Sequence, residues 1–285
     1  MDWMNELEKT TRMRVHRGNL PYLEFPAWEC FPKLICGFTT REGGVSKGYF
    51  ASFNLAADRG DDAEAVAENM RRWCAAMGIP RENLVRPYQT HTTRVECVDS
   101  GLLMRYREDA SVLDGVDGLI TNIPGIVLGL SFADCTPIYL YDESRQVCAL
   151  SHAGWRGTVG GIAPKTVRRM QEVYGCRPED LQAAIGPAIS QENYQVSQEV
   201  MDAVEGCLDG DTEGVLIPDG PGHAKADIPE VNRRLLIRAG VRPERILMSG
   251  VCTYRFGERI FSHRYSEGKR GVNCAFLGIR EDGRE

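Results

Sequence analysis

Three side chains in the 285-residue sequence could do chemistry together: His91, Cys135 and His152. Cys135 and His152 are brought together by the stretch from Ser131 to Gly157, SFADCTPIYLYDESRQVCALSHAGWRG. Two strand-like runs, Thr136 to Tyr141 and Val147 to Ser151, flank the polar segment Asp142, Glu143, Ser144, Arg145. Apolar runs on either side of a turn segment are a hairpin signal. A turn centred between Glu143 and Ser144 sets Cys135 directly opposite His152. Cross-strand partners lie about 4.5–5.5 Å apart, so a thiolate and an imidazole would meet at one end of the hairpin. The pair suits one shared metal ion or a Cys–His catalytic couple, and an inert structural pair is the plain alternative. Adding His91 gives two His and one Cys, a legitimate zinc set whose fourth position stays open for water or substrate. An open zinc site lowers the pKa of water to about 7 and polarises substrate oxygens. A thiol-enzyme reading instead makes Cys135 the nucleophile, His152 its base and Asp134 or an amide the orienting group. It leaves His91 unexplained.

These groups need elements to position them. His91 stands in PYQTHTTRVECVD, just before the alternating run Val95, Cys97, where a lone histidine is more often structural than a ligand. Gly118 to Thr121 and Ile126 to Ser131 are apolar throughout and read as buried strands of a layered sheet. His152 falls on a short loop, HAGWRGTVGG, leading into a helix with periodic Ile162, Val167, Met170 and Val173 and a stop at Gly175. Amides at such a helix start attract anions, and Arg156 lies in the same loop. A second candidate is TTREGGVS, Thr39 to Ser46: a tight turn using Gly43 and Gly44, or a backbone cradle with Arg41 reaching a carboxylate or phosphate. Further helices are predicted over Ala63 to Met77, Ser197 to Cys207 and Ile228 to Ala239. The segment DGDTEGVLIPDGPGHAKAD reads as turn-rich and exposed, with His223 a surface histidine.

Composition narrows the field. The apolar fraction of 42% and charged fraction of 26% are those of an ordinary soluble globular protein. A net charge of −6 argues against nucleic acid or an anionic membrane as partner. None of the ten cysteines forms a CxxC, which removes zinc-ribbon and thioredoxin-like readings. The start, MDWMNELEKTTRMRV, has no apolar core, and the most apolar stretch, Gly118 to Ala133, is too short to span a bilayer. Reduced cysteines without a targeting segment point to the cytoplasm. A weakly docked lead-in over residues 1–20 and one catalytic domain over 21–285 is the economical division.

The runs TTREGGVS, QTHTTRVECVD, DGLITN, FADCTPIYLYD, SHAGWRGTVGGI and AIGPAI, in that order, resemble those of the YfiH/DUF152 family. Its members are also called laccase-domain or polyphenol oxidase proteins and purine nucleoside phosphorylases. The likeness runs from about Phe38 to Ile279. It implies an α+β fold, a single domain of mixed β-sheets layered with helices. It also implies a metal, normally Zn2+, on His91, Cys135 and His152, which would be the catalytic residues. The implied activity is phosphorolysis of adenosine, inosine and S-methyl-5'-thioadenosine, releasing free base and (methylthio)ribose 1-phosphate, with zinc-dependent adenosine deamination beside it. Arg41 and Arg156 match family arginines and are expected at phosphate or ribose. Small purine nucleosides and phosphate are then the partners of a bacterial, cytoplasmic monomer or homodimer. A multicopper oxidase needs far more imidazoles than the five present, His16, His91, His152, His223 and His263. Soft Cys and His ligands could still take copper in vitro. Other readings are a peptidoglycan-precursor editing hydrolase, a laccase-like polyphenol oxidase and a metal-stabilised binding protein.

Overall fold

Apolar residues at a period of two build the centre of the molecule, and helices cover what the sheets leave open. The computed structural model describes residues 2–281. The chain starts with helix α1 (Trp3–Thr10) and strands β1 (Arg14–His16), β2 (Tyr22–Glu24) and β3 (Leu34–Thr39). Helix α2 (Ala63–Met77) follows, then β4 (Leu84–Val85), β5 (Val95–Cys97), α3 (Ser100–Glu108), β6 (Gly118–Thr121) and β7 (Val127–Phe132). The hairpin is β8 (Thr136–Asp142) and β9 (Val147–Ala153), succeeded by α4 (Trp155–Val159), α5 (Ile162–Tyr174) and β10 (Gln182–Ile185). Last come β11 (Gln195–Ser197), α6 (Gln198–Cys207), β12 (Leu216–Pro218), β13 (His223–Ala226), α7 (Ile228–Arg238), β14 (Ile246–Met248) and β15 (Asn273–Ile279).

Two six-stranded sheets, ordered β1-β2-β3-β15-β7-β4 and β14-β10-β8-β9-β6-β5, carry the fold, beside a small sheet β11-β13-β12. Both large sheets are mixed, with β4 parallel to β7, β5 to β6 and β10 to β14. Leu128, Leu130 and Leu277 of one sheet pack with Tyr139, Cys148 and Leu150 of the other. The alternate residues of the hairpin, Ile138, Leu140, Val147 and Ala149, pack instead with Val167, Met170 and Leu236 of α5 and α7. Trp73 and Cys74 of α2 cover the other face of the first sheet, against Phe276. The result is a single α+β domain of layered helices and mixed sheets, as the family likeness implies.

Several local expectations hold. Helix α2 begins where Asp62 accepts the Glu64 amide and ends at left-handed Gly78. Others do not. The expected lead-in is part of the core: Leu7, Met13 and Val15 are no more than 2% exposed, and β1 pairs antiparallel with β2. One turn or two of helix and a three-residue strand are too short for a periodic signal. The stretch around His223 contains β12 and β13, although His223 itself is exposed. Among the described residues, no helix is long and apolar enough to cross a membrane.

Candidate metal centre

The hairpin brings Cys135 and His152 together, but in a register different from the one expected. Thr136 faces Ala153, Pro137 faces His152 and Asp142 faces Val147. The true turn runs through Gln146, whose φ of 51° places it in the left-handed region and inside the loop. The pairing is therefore slipped by two residues. A slip of two preserves the face, so Cys135 keeps the parity of Tyr139 and Tyr141, and His152 that of Cys148 and Leu150. Both side chains face the gap between the sheets at its open end. His152 is the penultimate residue of β9, not part of the loop, and the short helix α4 starts only after Gly154.

His91 arrives from the connection between β4 and β5. Its φ of 61° is unusual for a residue with a Cβ, and a single buried carboxylate holds it there. Asp117, fully buried just before β6, accepts the amides of Thr90 at 3.1 Å, His91 at 3.1 Å and Thr92 at 2.9 Å. It also accepts the Thr92 hydroxyl at 3.0 Å and His152 Nδ1 at 2.7 Å. A buried carboxylate without partners would cost several kcal/mol; five hydrogen bonds offset that. Gln89 pins the same loop from its other end, donating to the Ser131 carbonyl at 3.0 Å and accepting the Ser131 amide at 2.7 Å.

The donor atoms of His91, Cys135 and His152 all lie within 4.8 Å of one another, with Cys135 Sγ 3.9 Å from His91 Nε2. Bonds of about 2.3 Å to sulfur and 2.0–2.1 Å to nitrogen span at most ~4.4 Å across one zinc ion. The 3.9 Å pair fits within that span, and the 4.8 Å bound on the whole set lies close to it. The chemistry of the donors fits as well. Asp117 fixes the proton on His152 Nδ1, which leaves Nε2 as a ligand, the usual outer support of a metal-bound imidazole. Burial pushes the Cys135 thiol up, but the imidazoles of His152 and His91 outweigh it and bring the thiol down to about 6. Burial likewise opposes charge on His152, and the Cys135 thiolate and Asp117 carboxylate overcome it, raising His152 to about 9. Burial pushes the Asp117 carboxyl up, but its bond and attraction to His152, together with the amides of Thr92 and Thr90, outweigh it and hold it below the usual carboxylate range.

Asp134 does not orient His152. With φ at 85°, it turns the chain into Cys135 while its carboxylate accepts the Thr253 hydroxyl at 2.5 Å and the Arg264 amide at 2.7 Å. It thereby ties the Cys135 loop to the segment Ser262 to Gly271. The three ligand candidates line a cavity of about 760 Å³. Tyr88, Phe132 and Tyr194 give it aromatic walls, and Arg59, Arg264 and Arg270 bring positive charge to it.

Neither expected arginine lines that cavity. Arg41 donates to the carbonyls of Ala51 at 2.8 Å and Gly257 at 3.0 Å and lies over the Phe261 ring. The glycine loop around it is filled by protein: a Cβ on Gly43 would come within 2.1 Å of the Asn19 carbonyl oxygen, and one on Gly44 within 2.0 Å of that of Ser52. Arg156 extends over Trp155, 3.9 Å from Glu199, with 61% of its side chain exposed. Asp117, Arg59 and Tyr194 escaped the sequence reading. Asp117 had a signal, an acidic residue directly before a strand apolar on both faces, and Arg264 and Arg270 lie in the basic stretch RYSEGKRG.

The family model described as multi-copper polyphenol oxidoreductase laccase matches residues 35–280. The chain belongs to that family. Over 253 residues it is 38% identical to the purine nucleoside phosphorylase YlmD of Geobacillus stearothermophilus, covering 88% of this chain and 92% of that protein. Over 250 residues it is 36% identical to adenosine deaminase RL5 of an unknown prokaryotic organism, covering 85% and 92%. The crystal structure of the Geobacillus YlmD superposes with a TM-score of 0.88 at 36% identity, across 95% of this chain and all of that one.

Proposed function

We propose that this protein is a purine nucleoside phosphorylase that takes adenosine, inosine and S-methyl-5'-thioadenosine, with adenosine deamination as an accompanying activity. The observation that carries the reading is the joining, in one nucleoside-sized cavity, of the His91, Cys135 and His152 cluster with several guanidinium groups. Relatives named as phosphorylases and as a deaminase support it. Zinc is the metal proposed, because two imidazoles and one thiolate with an open fourth position are a zinc donor set. Bound there, zinc would supply positive charge that stabilises a departing purine and activates water for deamination.

The chain's own residues have distinct work. In phosphorolysis a phosphate oxygen bonds to C1' of the ribose as the bond from C1' to the purine breaks. The bonding pair leaves with the purine, and the proton lost by phosphate balances the one the base gains. Positive charge develops on the sugar, so the anion must be held beside it and water kept out. Arginines answer the first need and the walls formed by Phe132 and Tyr194 the second. Asp117 keeps both histidines in place throughout. The thiol-hydrolase alternative uses Cys135 and His152 alone, whereas the metal reading employs all three groups and the carboxylate behind them. All ten cysteines are unpaired, which supports a reducing, cytoplasmic setting.

Purified, zinc-loaded protein incubated with inosine is expected to release hypoxanthine and consume phosphate in equal amounts. Base release that continues unchanged without phosphate, or no release at all, would overturn the reading.

A further inference from the structure

The segment that Asp134 ties to Cys135 carries one cation, Arg270, whose hydrogen-bonding capacity the described residues leave partly unmet. Arg270 lines the cavity, yet its guanidinium meets only the Gly271 carbonyl at 3.2 Å and His263 Nδ1 at 3.5 Å among the described residues. Its Nε is buried and has no hydrogen-bond partner. Burial, and then the nearby Arg59, disfavour the charged form of Arg270. His263 is depressed by burial and by Arg270, so it stands neutral near pH 7 and can accept from the guanidinium. Arg59 has one carboxylate at its side, Asp58 at 3.5 Å, and both are partly exposed. A half-buried cation with one buried, unmet donor is costly unless something anionic arrives to complete it. The planar fork of arginine, with its N–H groups in fixed directions, suits the oxygens of a phosphate.

We propose that Arg270, supported by Arg59 and His263, is the seat of the attacking orthophosphate, in the cavity that also holds His91, Cys135 and His152. The assignment rests on the phosphorylase reading for the identity of the anion. It takes the place of Arg41, whose guanidinium is engaged by the Ala51 and Gly257 carbonyls, and of Arg156, which lies outside the cavity. Asp134 is a positioning residue here, since it holds the Arg264 backbone and so the turn leading to Arg270.

The test is direct binding of inorganic phosphate to the zinc-loaded protein by calorimetry, together with the KM for phosphate and for inosine. In Arg270→Gln the affinity for phosphate is expected to fall about tenfold or more, and its KM to rise in step, while the KM for inosine stays within about twofold. Arg270→Lys keeps the charge and should recover part of the loss. Should Arg270→Gln unfold at a lower temperature, Arg59→Gln at the partly exposed neighbour is the second variant, expected to weaken phosphate alone. Unchanged phosphate affinity in both variants, or equal losses for phosphate and inosine, overturns the seat. If the wild type binds phosphate through Arg270 but releases no base from inosine, the phosphorylase reading falls and the seat stands. If base is released with phosphate and both variants match the wild type, the seat falls alone.

Discussion

Oδ1 of Asp117 lies 2.7 Å from Nδ1 of His152, and the same carboxylate receives the amide of His91. One buried charge thus sets the ring of one candidate ligand and the backbone of another. The two histidines come from unrelated parts of the chain, 61 residues apart, and their rings meet edge-on with centroids 4.9 Å apart. Among the described residues, Asp117 is bonded both to the ring of His152 and to the backbone of His91.

Asp117→Asn keeps the size but removes the charge and one acceptor. Metal affinity should drop about 10–100-fold, the usual effect of losing an outer-shell carboxylate. Competition against a chromogenic zinc chelator measures it, and an affinity within twofold of wild type would count against the proposed role.

Cys135→Ala separates ligand from nucleophile. A ligand's loss should reduce bound metal well below one ion per chain, with phosphorolysis and deamination falling together. A pure nucleophile would leave the metal content at the wild-type level. Elemental analysis of both proteins, purified identically, decides.

Gly154→Ala tests the packing of the centre without touching a ligand. Gly154 has φ −67°, so alanine is allowed by the backbone, yet its Cβ would lie 2.8 Å from His91 Cδ2 and 3.0 Å from Cys135 Sγ. The ring of His91 must move. Metal affinity is expected to fall about tenfold or more, since loosely held ligand sets bind poorly, while the metal-free variant unfolds close to the wild-type temperature. Equal affinity would show the ring to be free to adjust.

Proton release on metal uptake follows from the two shifted groups. With Cys135 lowered to about 6 and His152 raised to about 9, the metal-free pair is thiolate and imidazolium between those values. Metal must displace the proton of His152, so apparent affinity rises about tenfold per pH unit there, and more steeply below pH 6 where the thiol also loses one. Indicator titration at pH 7.5 should show about one proton released by this pair per ion. Uptake independent of pH across this window would contradict the pairing.

Much of this site was legible because its residue types are rare and its strands alternate. Cys135 and His152 share a face by parity, and parity survived an error of two in the register. The error came from Gln146, whose left-handed backbone gives no signal in a single sequence. The bond of Arg41 to the Gly257 carbonyl has no signal in the sequence, because the two are 216 residues apart. The same distance problem hid Asp117, which reads as a turn residue until its bonds to the loop at 90–92 and to His152 are seen. Helix α3 passed unnoticed because Gly101 stands in its first turn, where glycine weakens the helical pattern.

The central claim is that His91, Cys135 and His152 share one metal ion. X-ray data collected on zinc-loaded crystals on either side of the zinc absorption edge test it most directly. The account predicts one anomalous peak among the three side chains, about 2.0–2.3 Å from each donor atom. A peak bound by only two of them, or zinc found elsewhere with this site empty, would contradict it.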